Sequence, residues 1–338
     1  MNELPIEKPT LEMLSYESHI DSILSANHLD KTNYYLSMVD MEVILLENST
    51  HTFYDFFMGR TISQVPLSRK FISRKDIRTE DELVIYLEKE LKKEKYIYLS
   101  IDTFFVESYS TAGNKHIVHS PLVAGIDKDK NILKICDFFD YTHYSFQWVN
   151  LKNFVQAYYY LDKFLWEIKI KEREKWLYCI EEIEPTKKFT KVDNSKILTN
   201  YLKGNSTNFL RKDAYYFINQ RLANEVSDVI YQIKIVHGIQ IYEYLKERIK
   251  YSLKMNEKFD KKSITLLYKH FKVYKYLMNE LDLDKEWIYD CEEKSKKVMF
   301  LGLKEMLSNK FSNYSAMLNL IEDLKVTEER YLNERLFK

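Results

Sequence analysis

Between Tyr96 and Phe139 the chain changes from helical to strand period, and that change most limits what it can fold into. "YIYLSIDTFFVES" is rich in β-branched and aromatic residues and reads as a strand. After a polar loop, "IVHSPLVAGID" reads as a second strand, "KDKN" as a turn and "ILKICDFF" as a third. Helical patterns flank this block on both sides, so the combination predicts an α+β domain.

Upstream, "YESHIDSILSAN" places Ile20, Ile23 and Leu24 at helical spacing, with Ser18 available as an N-cap. A second helix is expected over residues 34–47, and the aromatic stretch from there to Ser73 reads as irregular. "TEDELVIYLEKELKKEK" reads as a helix opened by a capping box of Thr79 and Glu82 and closed by a basic run. Downstream, "VNLKNFVQAYYYLDKFLW" returns to helix, and "KWLYCIEEIE" to "KKFTKV" reads as extended. From about Asn200 the pattern is helical with charged faces and almost no Gly or Pro, as in a bundle of four or five helices. Turn-rich "LKGNSTN" marks the boundary, giving one domain over residues 1–195 and a second over 200–338.

With 338 residues, 45% of them hydrophobic, the chain can bury a sizeable core. Its 51 basic residues balance 51 acidic ones, so no net field favours nucleic acid or an anionic membrane. Cys136, Cys179 and Cys291 are too few and scattered for a disulfide framework or a thiolate metal site, which points to a reducing cytoplasm. The opening "MNELPIEKPTLEMLSY" lacks the pattern of a signal peptide. No apolar stretch reaches the roughly 18 residues that a spanning helix needs.

The stretch with most chemical content is "KHIVHSPLVAGIDKDKNILKICDFF". His119 opens one apolar strand and Asp137 closes the next, and in a hairpin the two can end up side by side. The carboxylate would then fix the imidazole tautomer and leave the other ring nitrogen to act as a base. The plainer reading is a half-exposed strand-end histidine and an aspartate capping a turn. His28, His51, His143, His237 and His270 lack such context and read as surface or core.

The run "YLSIDTFFVESYSTAGNKHIVHSPLVAGIDKDKNILKICDFF" resembles the core of papain-like proteins related to the N-terminal domain of the butirosin biosynthesis protein H family. These are distant relatives of the peptidases that cut bacteriocin leaders. The shared features are an aspartate on a first strand (Asp102), two histidines three apart (His116 and His119), an apolar strand ending in Gly125, Ile126 and Asp127, and a second strand ending in Asp137. The likeness spans roughly residues 10–165. It implies a papain-like fold with an antiparallel sheet, and acyl transfer from a carrier-protein thioester to an amine or peptide intermediate in natural-product biosynthesis. No cofactor is implied.

In that family the nucleophile is a cysteine at the start of the first helix, where the helix N-terminus lowers the thiol pKa and backbone N–H groups help form the oxyanion hole. Here His19 stands at the matching position, in "YESHIDSIL". Met13 occupies the oxyanion-glutamine position, with Glu12 beside it. Cys136 directly precedes Asp137 and on a strand faces the other way.

Three readings stay open. One is a degenerate domain that binds a carrier-bound intermediate or peptide. Another is an acyltransferase with Ser18 as nucleophile, or with His119 and Asp137 serving an incoming amine directly. The third is a metal site of His19, His119 and Asp137. Glu12, Asp102 and His116 are then candidate substrate contacts. His19 is expected in the first turn of its helix, neutral, facing His119 across a cleft. The helical domain reads as a support or homodimerisation element, or a dock for an acyl carrier protein.

Overall fold

A computed structural model of the protein describes residues 1–39, 41–46, 55–58, 65–167, 179–186, 199–203, 233–255, 261–280, 286–308 and 313–336. They form two compact units. Described residues of the first lie within Met1–Lys31 and Val65–Phe189, and those of the second within Thr32–Gln64, Thr190–Arg211 and Asp228–Lys338. The division is therefore interleaved, unlike the sequential split between residues 195 and 200.

The elements of the first unit are, in chain order, β1 (Asn2–Glu3), α1 (Ser15–Ala26), β2 (Leu67–Ser73), α2 (Glu80–Leu91), β3 (Tyr96–Tyr98), β4 (Ile101–Asp102), β5 (Val118–His119), β6 (Leu122–Asp127), β7 (Ile132–Asp137), β8 (Ser145–Asn150), α3 (Leu151–Glu167) and β9 (Cys179–Pro185). Seven of the strands make one antiparallel sheet in the order β8-β7-β6-β3-β9-β2, with β1 beside β6. β4 and β5 pair separately as a short antiparallel ribbon. The architecture is α+β.

Local chemistry accounts for these elements. Thr79 caps α2 by accepting from the Glu82 N–H while the Glu82 carboxylate accepts from the Thr79 N–H, each at 3.2 Å. Leu83, Leu87 and Leu91, at four-residue spacing, bury the inner face of α2. α1 buries Ile20, Ile23 and Leu24 completely; truncating any of them to Ala is expected to cost about 2–5 kcal/mol.

The expected strand "IVHSPLVAGID" is broken at Ser120–Pro121. Pro121 has no N–H to donate to a ladder. The chain switches there from pairing with β4 to pairing with β3 and β7. "YIYLSIDTFFVES" likewise splits into β3, β4 and a 3-10 turn at Thr103–Phe105. Gly125 serves the arrival of β1: a Cβ there would sit 3.1 Å from the Asn2 carbonyl oxygen and 3.2 Å from the Lys134 Cβ. β2 falls in the stretch expected to be irregular, because its polar sequence is held by full-length pairing with β9 and by the Arg69–Glu181 ion pair.

The second unit has a three-stranded antiparallel sheet, with Met41–Leu46 between Asp55–Met58 and Ile233–His237. The helix expected over residues 34–47 is confined to Thr32–Ser37. The β-branched "MEVILL" and "IKIVH" pair as strands instead. Four long helices follow among the described residues: Ile241–Met255, Lys261–Glu280, Glu286–Ser308 and Tyr314–Leu336. Gly238 has φ +62°, and a Cβ there would meet the Tyr201 carbonyl oxygen at 1.9 Å, so only glycine fits. The whole stretch from Asn205 to Gln232 expected as helix lies outside the described residues, as does "KKFTKV". Among the described residues, no helix is long and apolar enough to cross a membrane.

Candidate active site

Strand register brings His119 and Asp137 together. Leu122 of β6 pairs with Cys136 of β7, which sets Asp137 one step beyond that pair, beside the end of β5 that carries His119. His119 Nδ1 lies 2.5 Å from Asp137 Oδ2. Because an ionised carboxylate only accepts, Nδ1 carries a proton, and in the neutral ring Nε2 then holds the lone pair. Nothing among the described residues hydrogen-bonds Nε2, and the His119 side chain is 19% exposed.

The carboxylate is held from several sides. The Tyr109 hydroxyl donates to Asp137 Oδ2 at 2.6 Å and the Phe138 N–H to Oδ1 at 2.8 Å. Asp137 is wholly buried. Burial alone would raise its pKa, but the hydrogen bond and positive potential of His119, with smaller help from His19 and Tyr109, hold it below the ordinary carboxylate range. Burial and the neighbouring Asp137 charge push the Tyr109 phenol well above its ordinary value, so it stays a donor.

Asp102 and His116 form a second pair, with Nδ1 2.6 Å from Oδ2. In the β4–β5 ribbon Asp102 is opposite Val118 and Ile101 opposite His119. Side chains alternate along a strand, so the two histidine–aspartate pairs project from opposite faces of the ribbon. The Phe104 N–H donates to Asp102 Oδ1 at 3.0 Å. The half-exposed His116 ring is stacked between Phe104 and Tyr160, at centroid distances of 4.2 and 5.0 Å.

The helix-start residues stand elsewhere than the sequence suggests. Leu14, not Ser18, is the N-cap of α1, and it offers no side-chain cap. Ser18 is thereby in the second turn, fully buried, and its hydroxyl accepts from the Met13 N–H at 2.9 Å. It has no opening to a substrate. His19 is also beyond the first turn and wholly buried. Its Nε2–H donates to the Ser120 carbonyl at 3.0 Å and its Nδ1 is 2.8 Å from the Tyr144 hydroxyl. It therefore faces no cleft, and both ring nitrogens are occupied.

His19 is neutral, its pKa pulled down to about 4, but burial does this rather than the helix dipole. With His19 so engaged, the three-residue metal set fails: among the described residues no group of three His, Cys, Asp or Glu could hold an ion. Glu12 accepts from the Tyr144 N–H at 3.1 Å and lies 3.3 Å from His143 Nδ1, which ties down the loop after β7. Cys136 is buried, and burial pushes its thiol up, away from thiolate chemistry.

Two site residues carry no sequence signal. Tyr109 sits in a polar loop, one of 27 tyrosines. Tyr141, in the turn after Asp137, lies edge-on to the His119 ring at 5.8 Å. Chemically the arrangement offers one oriented imidazole with an open nitrogen and a buried counter-charge behind it, while the candidate nucleophile Ser18 and the thiol of Cys136 are both buried. Neither a protein-family model nor a curated protein matches the chain.

Proposed function

We propose that His119 is a general base for acyl transfer, activating an incoming amine or water directly, with no covalent intermediate on the protein. The observation that carries this is the 2.5 Å contact of His119 Nδ1 with a fully buried, hydrogen-bonded Asp137, which leaves Nε2 open. A base so held is oriented before substrate arrives and has its developing cation stabilised. The burial of Ser18, His19 and Cys136 favours the direct route over a serine or thioester intermediate.

The resemblance to papain-like acyltransferases of natural-product clusters supports a carrier-protein thioester as donor and an amine or peptide intermediate as acceptor, in the cytoplasm. Acyl N-acetylcysteamine thioesters, offered with a primary amine, mimic both partners. His119→Ala should abolish amide formation while leaving thioester affinity nearly unchanged; wild-type turnover in that variant would remove the reading.

A second reading, a papain-like domain that binds the acyl group without turnover, draws on the same burial of Ser18 and Cys136. It differs in one result: thioester binding with no turnover in the parent.

A further inference from the structure

His119 is flanked by two tyrosines with unlike roles. The Tyr109 ring, 5.9 Å away, is buried and tied to Asp137. The Tyr141 ring lies 5.8 Å away at 81°, the residue is 43% exposed, and among the described residues its hydroxyl reaches only Thr111 Oγ1, at 3.5 Å. Tyr141 also ends a tight turn, with its N–H donating to the Phe138 carbonyl at 3.1 Å and φ at +62°. That left-handed conformation suits glycine or asparagine and costs a tyrosine energy. An aromatic ring kept in a strained conformation, half in solvent and beside an open imidazole, has the properties of a ligand contact.

We propose that Tyr141 is the specificity-determining wall of the His119 site, against which the apolar chain of an acyl donor packs. This rests on the acyl-handling reading of His119. It adds the substrate class: an acyl group long enough to cover an aromatic ring is preferred over acetyl.

The test compares acetyl and hexanoyl N-acetylcysteamine thioesters on the full chain. Binding is read from the His119 ring protons by NMR, and turnover is read separately. The parent should bind hexanoyl more tightly than acetyl. Tyr141→Asn, which tolerates the left-handed turn, should lose about tenfold in hexanoyl affinity with little change for acetyl, and should melt no lower than the parent. Tyr141→Phe, which keeps the ring, should restore the chain-length preference.

Three results would overturn the proposal: a retained hexanoyl preference in Tyr141→Asn, a marked fall in its melting temperature, or no binding of either thioester by the parent. The two readings fail separately. Chain-length-dependent binding without turnover supports Tyr141 and removes the base. Turnover that is lost in His119→Ala but keeps its chain-length profile in Tyr141→Asn does the reverse.

Discussion

His19 donates its Nε2–H to the carbonyl of Ser120, the residue that follows His119. Behind it, the Ser120 and Ser100 hydroxyls meet at 2.8 Å, and the buried Arg74 guanidinium donates to the Ser100 carbonyl at 2.6 Å. The backbone carrying the candidate base is thus braced from inside the first unit. His19 supports the site without lining it.

That assignment separates His19 from a vacant nucleophile position. His19→Cys should produce a thiol that resists alkylation in the native protein, with no gain of thioester-forming activity. It should also destabilise by about 1–3 kcal/mol, because the Ser120 carbonyl loses its donor. Denaturant unfolding together with a thiol-accessibility assay checks both outcomes, and rapid native-state labelling would contradict the burial of residue 19.

Burial of neutral His19 makes stability depend on pH. Its pKa falls from 6.5 to about 4 on folding, so between those values the unfolded chain binds a proton that the native protein does not. Stability is then fully present above about pH 6.5 and declines as pH falls toward 4, by roughly 3 kcal/mol in all. Asp137, held below its ordinary range, adds to the loss at still lower pH. Urea midpoints measured from pH 7 to 4 should fall in the parent and flatten in His19→Gln.

Asp137→Asn keeps the shape of the side chain but removes the charge and lets an amide donor face His119. Turnover should drop on the order of 10³–10⁴-fold while thioester binding persists. Steady-state kinetics and a binding titration on the same preparation separate the two.

In the second unit, His270 Nε2 lies 2.9 Å from Glu328 Oε1, both side chains fully buried, and the Tyr242 hydroxyl donates to Glu328 Oε2 at 2.5 Å. Burial works against the Glu328 charge, yet His270 and the Tyr242 hydroxyl help hold its pKa below the ordinary range. Glu328→Ala strands the imidazole and should cost about 3–5 kcal/mol by denaturant unfolding. Glu328→Gln retains hydrogen bonds and should cost less.

What was legible in the sequence is what one short window determines. The Thr79–Glu82 box and the Ile20, Ile23 and Leu24 face depend only on neighbours along the chain, and both are where the sequence puts them. The approach of His119 to Asp137 was legible because only Ser120 and Pro121 separate His119 from the β6–β7 hairpin that Asp137 closes. The start of α1 was not, because Leu14 offers no capping side chain to read. Nor was the burial of Ser18, His19 and Asp21, which depends on the uncapped segment before α1 folding back so that Met13 and Leu11 donate to Ser18 and Asp21, and on distant Ser120 for His19. The strand at Ile233–His237 was hidden because its partner, Met41–Leu46, is far away in sequence.

The tautomer of His119 tests the central claim most directly, and it needs no substrate. With ¹⁵N-labelled histidine at neutral pH, NMR should show the neutral His119 ring protonated at Nδ1 and bare at Nε2, and Asp137→Asn should abolish that preference. A His119 ring protonated at Nε2 in the parent would contradict the account, because the open nitrogen would then have no lone pair to accept a proton.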